Sequence, residues 1–413
     1  KGDDNRDPNE VQHYKSMDLI NNWDPSEDSL IELKEYESYL YDLVKEIDMD
    51  DTIGLDYFDQ PYIENKSIIS NNYSETSNKR YNKLVNEALD HILKTYPQSI
   101  LIGEDIEDYS EQTTIQYGGA FKVTSGLSSK FPSRVLNTPI SEASITGIIS
   151  GYSMYGQRSI VEIMFGDFTT LILDQLLQHA SKFSRIYGKE IHCPMIVRTP
   201  MGGRRGYGPT HSQSLEKFFL GIPHLGVVAL NQRLSPKVIY NSIYENYHNP
   251  FLIIENKVLY TREFDTNRLG GFNYNFTNKS FPEIIITPIN QKADITIFCY
   301  GDMLFEVEEA TRELFFEYEI TAQIVCVSLI SSPLSNDIFN NIDLGEKVVA
   351  IEEGNSFNGW GSQVVSWMSQ KMNKIDPLII GFEDIIPCNS EIESKLLPGK
   401  DSIVEKLNNF LND

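Results

Sequence analysis

The chain has 413 residues, a formal net charge of −24 and 40% hydrophobic residues, a composition typical of a globular protein with two domains. The negative charge argues against nucleic acid as a partner, because a surface of this sign repels a phosphate backbone. The four cysteines lack CxxC spacing and no run approaches 18 apolar residues, so we expect free thiols, no membrane partner and a cytoplasmic protein.

The first 75 residues form an acidic extension. They contain 6 basic and 20 acidic residues, which gives 6 − 20 = −14, more than half of the net charge of the chain. One segment, residues 30–47, has apolar positions every three or four residues and is predicted to be an amphipathic helix. A polar connector without periodicity follows it, so we place a domain boundary near residue 76.

From residue 81 onward, helical segments alternate with short apolar runs, which indicates βα units and a parallel sheet. The predicted elements of this first series are the helix NKLVNEALDHILKTYP, the strand SILIGED, the helix EASITGIISGYSMYG, the strand SIVEIM, the helix TTLILDQLLQHASKF and the strands CPMIVRT, GVVAL and PFLIIEN.

A polar stretch at residues 261–285 separates these elements from a second series. Its predicted strands are DITIFCYG, QIVCVSL, KVVAIEE and PLIIGF, and its helices are MLFEVEEATRELFFEY and SQVVSWMSQKM. The sequence therefore predicts an α/β protein with two doubly wound domains, at residues 76–275 and 285–413, preceded by the acidic helical extension at residues 1–75.

The segment NTPISEASITG places Glu142 after a turn and close to the start of a helix. One interpretation is structural, since acidic residues in a first helical turn complement the helix macrodipole. The other is functional, because open α/β sheets bind ligands at the carboxyl ends of their strands, where a carboxylate can bond a ring nitrogen. Spacing alone leaves both interpretations open.

The strand CPMIVRT leads into a glycine-rich loop, MGGRRGYGPTHS (residues 201–212), that contains His211. Loops at strand ends commonly carry active-site residues, but this one lacks the GxxxxGK[ST] spacing of a phosphate-binding loop. His211 is either a functional residue or a loop histidine bonded to the backbone. Arg204 and Arg205 can bind a substrate carboxylate or a carboxylate of the protein itself.

Three large side chains, Met164, Phe165 and Phe168, follow the apolar strand in VEIMFGDFTT. Core packing is the ordinary role of such residues, although an aromatic ring at a strand end can also stack on a planar cofactor. The histidines and cysteines show no metal-ligand spacing such as HExxH or CxxC, so a metal site built from this chain alone is not expected.

Seven segments occur in order across residues 80–410: ILIGEDIEDY, YGGAFKVTSGL, NTPISEASITG, VEIMFGDF, DQLLQHASKF, RTPMGGRRGYGPTHSQSLEKFF and IEEGNSFNGWGSQV. Together they resemble the beta subunit of the thiamine diphosphate-dependent decarboxylase component of 2-oxo acid dehydrogenase complexes. The TPISE and GPTHSQS blocks are the most specific of them. The resemblance implies a thiamine diphosphate-binding pyrimidine domain followed by a transketolase C-terminal-like domain.

The resemblance also assigns roles to individual residues. Glu142 matches the glutamate that bonds the aminopyrimidine ring and promotes the imino tautomer that activates the cofactor. Phe168 matches the aromatic residue that packs on this ring, and Ile140 and Met164 match neighbouring wall positions. His211 matches a histidine that stabilises the substrate and assists acyl transfer to lipoyl-lysine.

Two further acidic residues match the family less specifically. Glu104 and Asp174 correspond to acidic positions that lie between paired active sites, and a structural ion pair explains them equally well. The insertion SEQTTIQ, residues 110–116, has no counterpart in related chains, and the sequence leaves its role open.

The metal-binding signature of the family is absent, because the GD pairs of this chain read GDD, GDF and GDM instead of GDG. The resemblance therefore implies that magnesium and the diphosphate are held by an alpha subunit or a fused half. The segment HYKSMDLINNWDPSEDSLIELKEY in turn resembles the end of an alpha subunit. We therefore expect this sequence to be the C-terminal part of a fused alpha-beta chain.

These matches imply oxidative decarboxylation of a 2-oxo acid, pyruvate or a branched-chain one, with reductive acylation of a lipoyl group. The implied partners are the alpha part, a second beta copy and a lipoyl acyltransferase core. One alternative is a carboligase or synthase with the same cofactor, and another is a non-catalytic assembly subunit. The intact TPISE and HSQS blocks favour an enzyme.

Overall fold

The computed structural model of the protein describes residues 68–69, 79–109, 117–187, 191–264 and 267–412. Apart from the short strand Ile68–Ile69, the acidic extension lies outside these residues, as does the insertion at residues 110–116. Within the described ranges, no helix is both long enough and apolar enough to cross a membrane.

The first domain is built on a six-stranded sheet. All its strand pairs are parallel, and the strand order is β3-β2-β4-β5-β7-β6. The strands are β2 (Ile100–Gly103), β3 (Val135–Asn137), β4 (Ser159–Glu162), β5 (Met195–Met201), β6 (Gly226–Ala229) and β7 (Phe251–Asn256). The helices are α1 (Tyr81–Thr95), α2 (Leu127–Lys130), α3 (Glu142–Met154), α4 (Phe183–Ile186) and α5 (Pro236–Asn246).

The second domain is built on a seven-stranded mixed sheet. Its strands are β1 (Ile68–Ile69), β8 (Phe272–Thr277), β9 (Ile284–Pro288), β10 (Ile295–Tyr300), β11 (Ala322–Val327), β12 (Lys347–Asn355) and β13 (Asp376–Phe382). Their order in the sheet is β1-β8-β9-β11-β10-β12-β13; β10 to β13 are parallel, and β1, β8 and β9 pair antiparallel. The helices are α6 (Met303–Glu317), α7 (Asn336–Asn341), α8 (Trp360–Lys371), α9 (Ser390–Leu396) and α10 (Lys400–Asn412). The predicted fold class, two doubly wound α/β domains, is confirmed.

Two predicted segments differ from the structure. The segment TTLILDQLLQHASKF is not one α-helix but a 3₁₀ segment, Gly166–Ile172, followed by a π-helical turn, Gln175–Ala180. The polar stretch at residues 261–285 contains β8, which joins the second sheet through β9. The physical reason is a period of two: Phe272, Tyr274 and Phe276 are buried, while the asparagines between them are more exposed.

A buried ion-pair cluster ties together three neighbouring strands of the first sheet. Arg198 of β5 donates hydrogen bonds to Glu162 of β4 and to Glu255 of β7, with 3.1 Å between its Nε and Oε1 of Glu255. Tyr260 accepts a further hydrogen bond from Arg198 at 2.9 Å, and Tyr240 donates to Oε1 of Glu255 at 2.6 Å. Burial alone would lower the pKa of Arg198, but the two carboxylates raise it well above its usual value.

We expect Arg198→Met to lower the free energy of unfolding by about 3–5 kcal/mol, since it leaves two carboxylates buried without their cation. Chemical denaturation followed by circular dichroism measures the change. The matched control is Arg312→Met, whose partner Glu309 forms a solvent-exposed pair, and it should cost less than about 1 kcal/mol. Equal effects of the two substitutions would contradict this role of Arg198.

Candidate active site

Glu142 is the first residue of α3, which begins five residues after the end of β3. The residue is 8% exposed, and within the described part of the chain no hydrogen bond reaches its carboxylate. The acidic side chain suits the positive end of the helix macrodipole. Neither carboxylate oxygen is completely shielded from solvent, so both can accept a hydrogen bond from a donor outside the chain.

Glu104 lies next to this carboxylate. It follows β2 directly, is 7% exposed, and its Oε1 has no hydrogen-bond partner among the described residues. Burial raises the pKa of Glu104, and the negative charges of Glu142 and Asp105 raise it further. The structure therefore brings Glu104 and Glu142 close enough for their charges to interact.

The imidazole of His211 packs on two phenyl rings that follow β4. Its ring centroid lies 4.9 Å from that of Phe165 and 5.2 Å from that of Phe168, both in edge-to-face geometry. Phe165 also contacts the ring of Tyr207 at 5.9 Å. Nδ1 of His211 lies 2.9 Å from Oγ1 of Thr210, which fixes one nitrogen of the ring and leaves Nε2 for another partner.

Asp167 connects the 3₁₀ segment to the HSQS block. It is 7% exposed, and its Oδ1 accepts a hydrogen bond from Nε2 of Gln213 at 2.9 Å, while Oδ2 has no partner among the described residues. The pattern-based reasoning did not select Asp167. The only signal in the sequence was its position in a GD pair between two site aromatics.

Lys257, just past the end of β7, is a second residue that the sequence reasoning missed. Its side chain is fully buried, and its Nζ donates a hydrogen bond to the backbone carbonyl of His211. The ammonium lies 5.3 Å from the ring centroid of Phe165. Burial lowers the pKa of Lys257 to about 8, although the charges of Asp167, Glu353 and Glu393 oppose the shift.

The remaining predicted residues are less enclosed. Ile140, two residues before α3, is 83% exposed, and Met164 is partly exposed just past the end of β4. Asp174 is exposed, with its Oδ2 3.7 Å from Nε2 of His179. This loose surface pair corresponds to the ion-pair interpretation of Asp174.

The structure therefore brings the predicted residues together in two groups. One is the carboxyl pair of Glu104 and Glu142, and the other is His211 with Phe168. The elements that carry them are in contact, because α3, which begins with Glu142, packs against the 3₁₀ segment that contains Phe168. These segments follow the carboxyl ends of strands in the first sheet and carry two carboxyls, two aromatic rings and an imidazole.

Comparison with known proteins shows what the chain is similar to. Residues 77–263 match the transketolase pyrimidine-binding domain. The beta subunit of acetoin:2,6-dichlorophenolindophenol oxidoreductase from Cupriavidus necator is 28% identical over 312 residues, which cover 75% of this chain and 88% of that protein. The mitochondrial pyruvate dehydrogenase E1 component subunit beta of Dictyostelium discoideum is 26% identical over 313 residues, 74% of this chain and 82% of the relative.

The chain is therefore similar to beta subunits of 2-oxo acid dehydrogenases, and its first domain matches a transketolase domain. The predicted resemblance is thereby confirmed. A solved structure described as a split gene transketolase, inactive beta4 tetramer, has the same fold, with a TM-score of 0.59 at 16% identity. The similarity covers 81% of this transketolase-like chain and 98% of that one.

The proximity of the two carboxyls can be tested by titration. We expect Glu142→Gln to lower the pKa of Glu104, because the substitution removes a negative charge that raises it. The pKa should stay above its ordinary value, since burial is the larger cause. Carboxyl carbon shifts measured by NMR report the change, and the exposed Glu405→Gln is the control. An unaltered Glu104 pKa in Glu142→Gln would show that the two groups do not interact.

Proposed function

We propose that the chain is the beta part of a thiamine diphosphate-dependent enzyme that decarboxylates a 2-oxo acid and transfers the acyl group to a lipoyl group. The observation that carries this proposal is the nearly buried carboxylate of Glu142, without a donor in the described chain, beside the unpartnered oxygen of Glu104. The similarity to beta subunits of pyruvate dehydrogenase E1 supports the same function.

The residues present fit the aminopyrimidine end of thiamine diphosphate. Glu142 offers an acceptor for a protonated ring nitrogen, and the orphaned Oε1 of Glu104 shows that the neighbouring polar site also lacks a partner. Phe168 provides an aromatic face, and Met164 and Ile140 would complete the wall. When bound, the cofactor supplies the electron sink for decarboxylation.

The chain's own side chains would then perform three tasks. Glu142 holds or releases a proton at the ring nitrogen, and its burial strengthens that hydrogen bond. His211 exchanges a proton at Nε2 with the substrate or the departing acyl group, while the contacts of Phe165 and Phe168 fix its ring. Phe168 excludes water from the same space.

We assign the diphosphate and magnesium to an alpha subunit or fused half, as the family resemblance implies. Among the described residues, no group of three or more His, Cys, Asp or Glu side chains is arranged to hold a metal ion. A second beta copy and a lipoyl acyltransferase core are further proposed partners. Relatives named as subunits of such enzymes support an assembly with an alpha partner.

The exposed face of α3 is our candidate surface for the diphosphate-binding partner. Ile148 is 65% exposed on α3, and Tyr155, the residue directly after the helix, is 87% exposed. Gly147 precedes Ile148, and Gly151 lies between Ile148 and Tyr155. A Cβ at either glycine would meet nothing within 4 Å. Apolar side chains flanking bare backbone allow another chain to approach closely. A partner that covers α3 along its whole length would also approach Glu142, the first residue of the helix.

Replacement of the carboxylate tests the catalytic role. We expect Glu142→Gln, in the complex with its alpha part, to lower kcat for 2-oxo acid decarboxylation by about 10²–10⁴, the usual contribution of a positioned acid-base group. The exposed Glu405→Gln should keep full activity. Decarboxylation is measured with pyruvate and branched-chain 2-oxo acids in the presence of thiamine diphosphate, magnesium and a lipoyl domain. Unaltered activity of Glu142→Gln would refute the assignment, and acyloin formation without a lipoyl domain would favour the carboligase.

Filling the bare helix surface tests the partner. We expect Gly151→Leu to reduce binding of the alpha part at least roughly tenfold without lowering the melting temperature, because a Cβ at this position meets nothing within 4 Å and leucine favours the helix. Analytical ultracentrifugation of the mixed parts measures association. The control is Ser369→Leu, at an exposed position of α8. Undiminished association of Gly151→Leu would place the interface elsewhere.

A further inference from the structure

The glycine-rich loop that carries His211 is fixed by carboxylates of the second domain. Oε1 of Glu353, in β12, accepts a hydrogen bond from the backbone N–H of Gly203 at 2.6 Å. Glu393, in α9, accepts two more, from the N–H of Arg204 to Oε1 at 2.9 Å and from the N–H of Gly206 to Oε2 at 2.7 Å. Three loop amides therefore point at two carboxylates, in the manner in which such loops bind anions.

Both carboxylates are removed from water. Glu393 is fully buried, so it depends on the two loop amides for its hydrogen bonds. Glu353 is 6% exposed and also accepts longer hydrogen bonds, at 3.4 Å, from Ser214 and Asn256. The loop in turn is shaped to reach them. A Cβ at Gly202 would lie 2.6 Å from Oε1 of Glu353, and one at Gly203 would lie 2.7 Å from Oε1 of Glu393. Only glycine permits this approach of backbone to carboxylate.

Arg204 adopts an unfavourable backbone conformation in this loop. Its φ is +65°, in the left-handed region, where a side chain with a Cβ is disfavoured. Such a conformation persists only where surrounding contacts hold it. Here its N–H binds Glu393, its Nε lies 3.4 Å from Oε2 of Glu353, and its guanidinium donates to the carbonyl of Pro398. The second domain thus holds both the backbone and the side chain of Arg204.

The same loop is fixed at its other end by the first domain. The ammonium of Lys257 donates to the carbonyl of His211, and its charge interacts with those of Glu353 and Glu393. The loop therefore lies between a buried cation below His211 and two buried anions below the glycines. Of the three amides that bind these carboxylates, that of Gly206 is the nearest to His211 in sequence, five positions before it.

We propose that Glu393, together with Glu353, is a positioning residue that holds the glycine-rich loop so that His211 faces the site. The second domain would thereby control the step that uses His211. This inference rests on the proposed function for its effect on turnover. The positioning itself can be tested without any activity.

The test variant is Glu393→Gln in the full chain. A glutamine amide has one acceptor oxygen, so one of the two N–H groups bound by Glu393 would face an NH₂ group instead. Trypsin cleaves after Arg204 and Arg205, within the loop. We expect the rate of cleavage there to rise roughly tenfold. Loss of one charge-assisted hydrogen bond increases the population of the open loop by about this factor, and trypsin cleaves the open loop. Carbethoxylation of His211, followed by mass spectrometry, should accelerate as well.

Glu391→Gln is the matched control, since Glu391 lies on the same helix with an exposed side chain. Trypsin should cleave the loop of this control variant at the wild-type rate. Wild-type rates of cleavage and carbethoxylation in a folded Glu393→Gln variant would overturn the proposal. If that variant does not fold, hydrogen exchange in the wild-type chain decides: the amides of Gly203, Arg204 and Gly206 should exchange more slowly than that of Arg205, and equal rates would overturn the proposal.

Activity separates this inference from the proposed function. In an active complex, Glu393→Gln should lower kcat while the KM for thiamine diphosphate stays within twofold, because the cofactor contacts of Glu142 are untouched. Faster cleavage of the loop with an unchanged kcat would show that the second domain does not control the step that uses His211. If the wild-type complex shows no decarboxylation, the proposed function fails, and cleavage and carbethoxylation still decide whether Glu393 positions the loop.

Discussion

The ion-pair cluster around Arg198 is the constraint on which the site depends. It joins three adjacent strands near their carboxyl ends, and each of those strands then leads into a different part of the site. β4 leads to Phe165 and Phe168, β5 leads to the glycine-rich loop, and β7 leads to Lys257. A change in the alignment of any one strand would move its segment relative to the other two.

A buried ion pair is an expensive way to gain stability, because desolvation of the charges offsets most of their attraction. Apolar side chains of similar volume would fill the same space at least as well. What charges add is geometry: a guanidinium has fixed donor directions, so Arg198 can satisfy Glu162 and Glu255 in only one alignment of the strands. The two tyrosines on Glu255 and Arg198 complete the set of partners.

Much of the fold was accessible from the sequence, because the strands of parallel sheets are continuous apolar runs bounded by turns. The strand β8 was missed since its asparagines masked a period of two. The 3₁₀ and π-helical segments after β4 were missed for another reason. Their apolar spacing is that of an α-helix, and only tertiary packing against α3 selects the other geometry.

The site was predictable in part for a similar reason. Motif blocks pointed to Glu142, Phe168 and His211, and the structure places His211 on Phe168. The sequence patterns did not point to Lys257, Arg198 or Asp167. The role of each depends on its burial and its contacts, which a linear pattern does not contain. A hint existed, since Glu162, Arg198 and Glu255 are each a single charge at the end of an apolar run. Three such charges in one domain indicate mutual pairing.

Two of the unsatisfied features of the first domain lie at or beside α3. At its amino end, Glu142 and the Oε1 of Glu104 lack donors within the described chain, and along its exposed side two glycines and two apolar side chains lack neighbours. A small ligand could satisfy the carboxyls but not the helix face, and a protein docked on the face alone would leave the carboxyls without donors. A partner chain that brings a nitrogen-bearing ring with it satisfies both. This joint requirement supports our proposal that the cofactor lies between two chains instead of within this one.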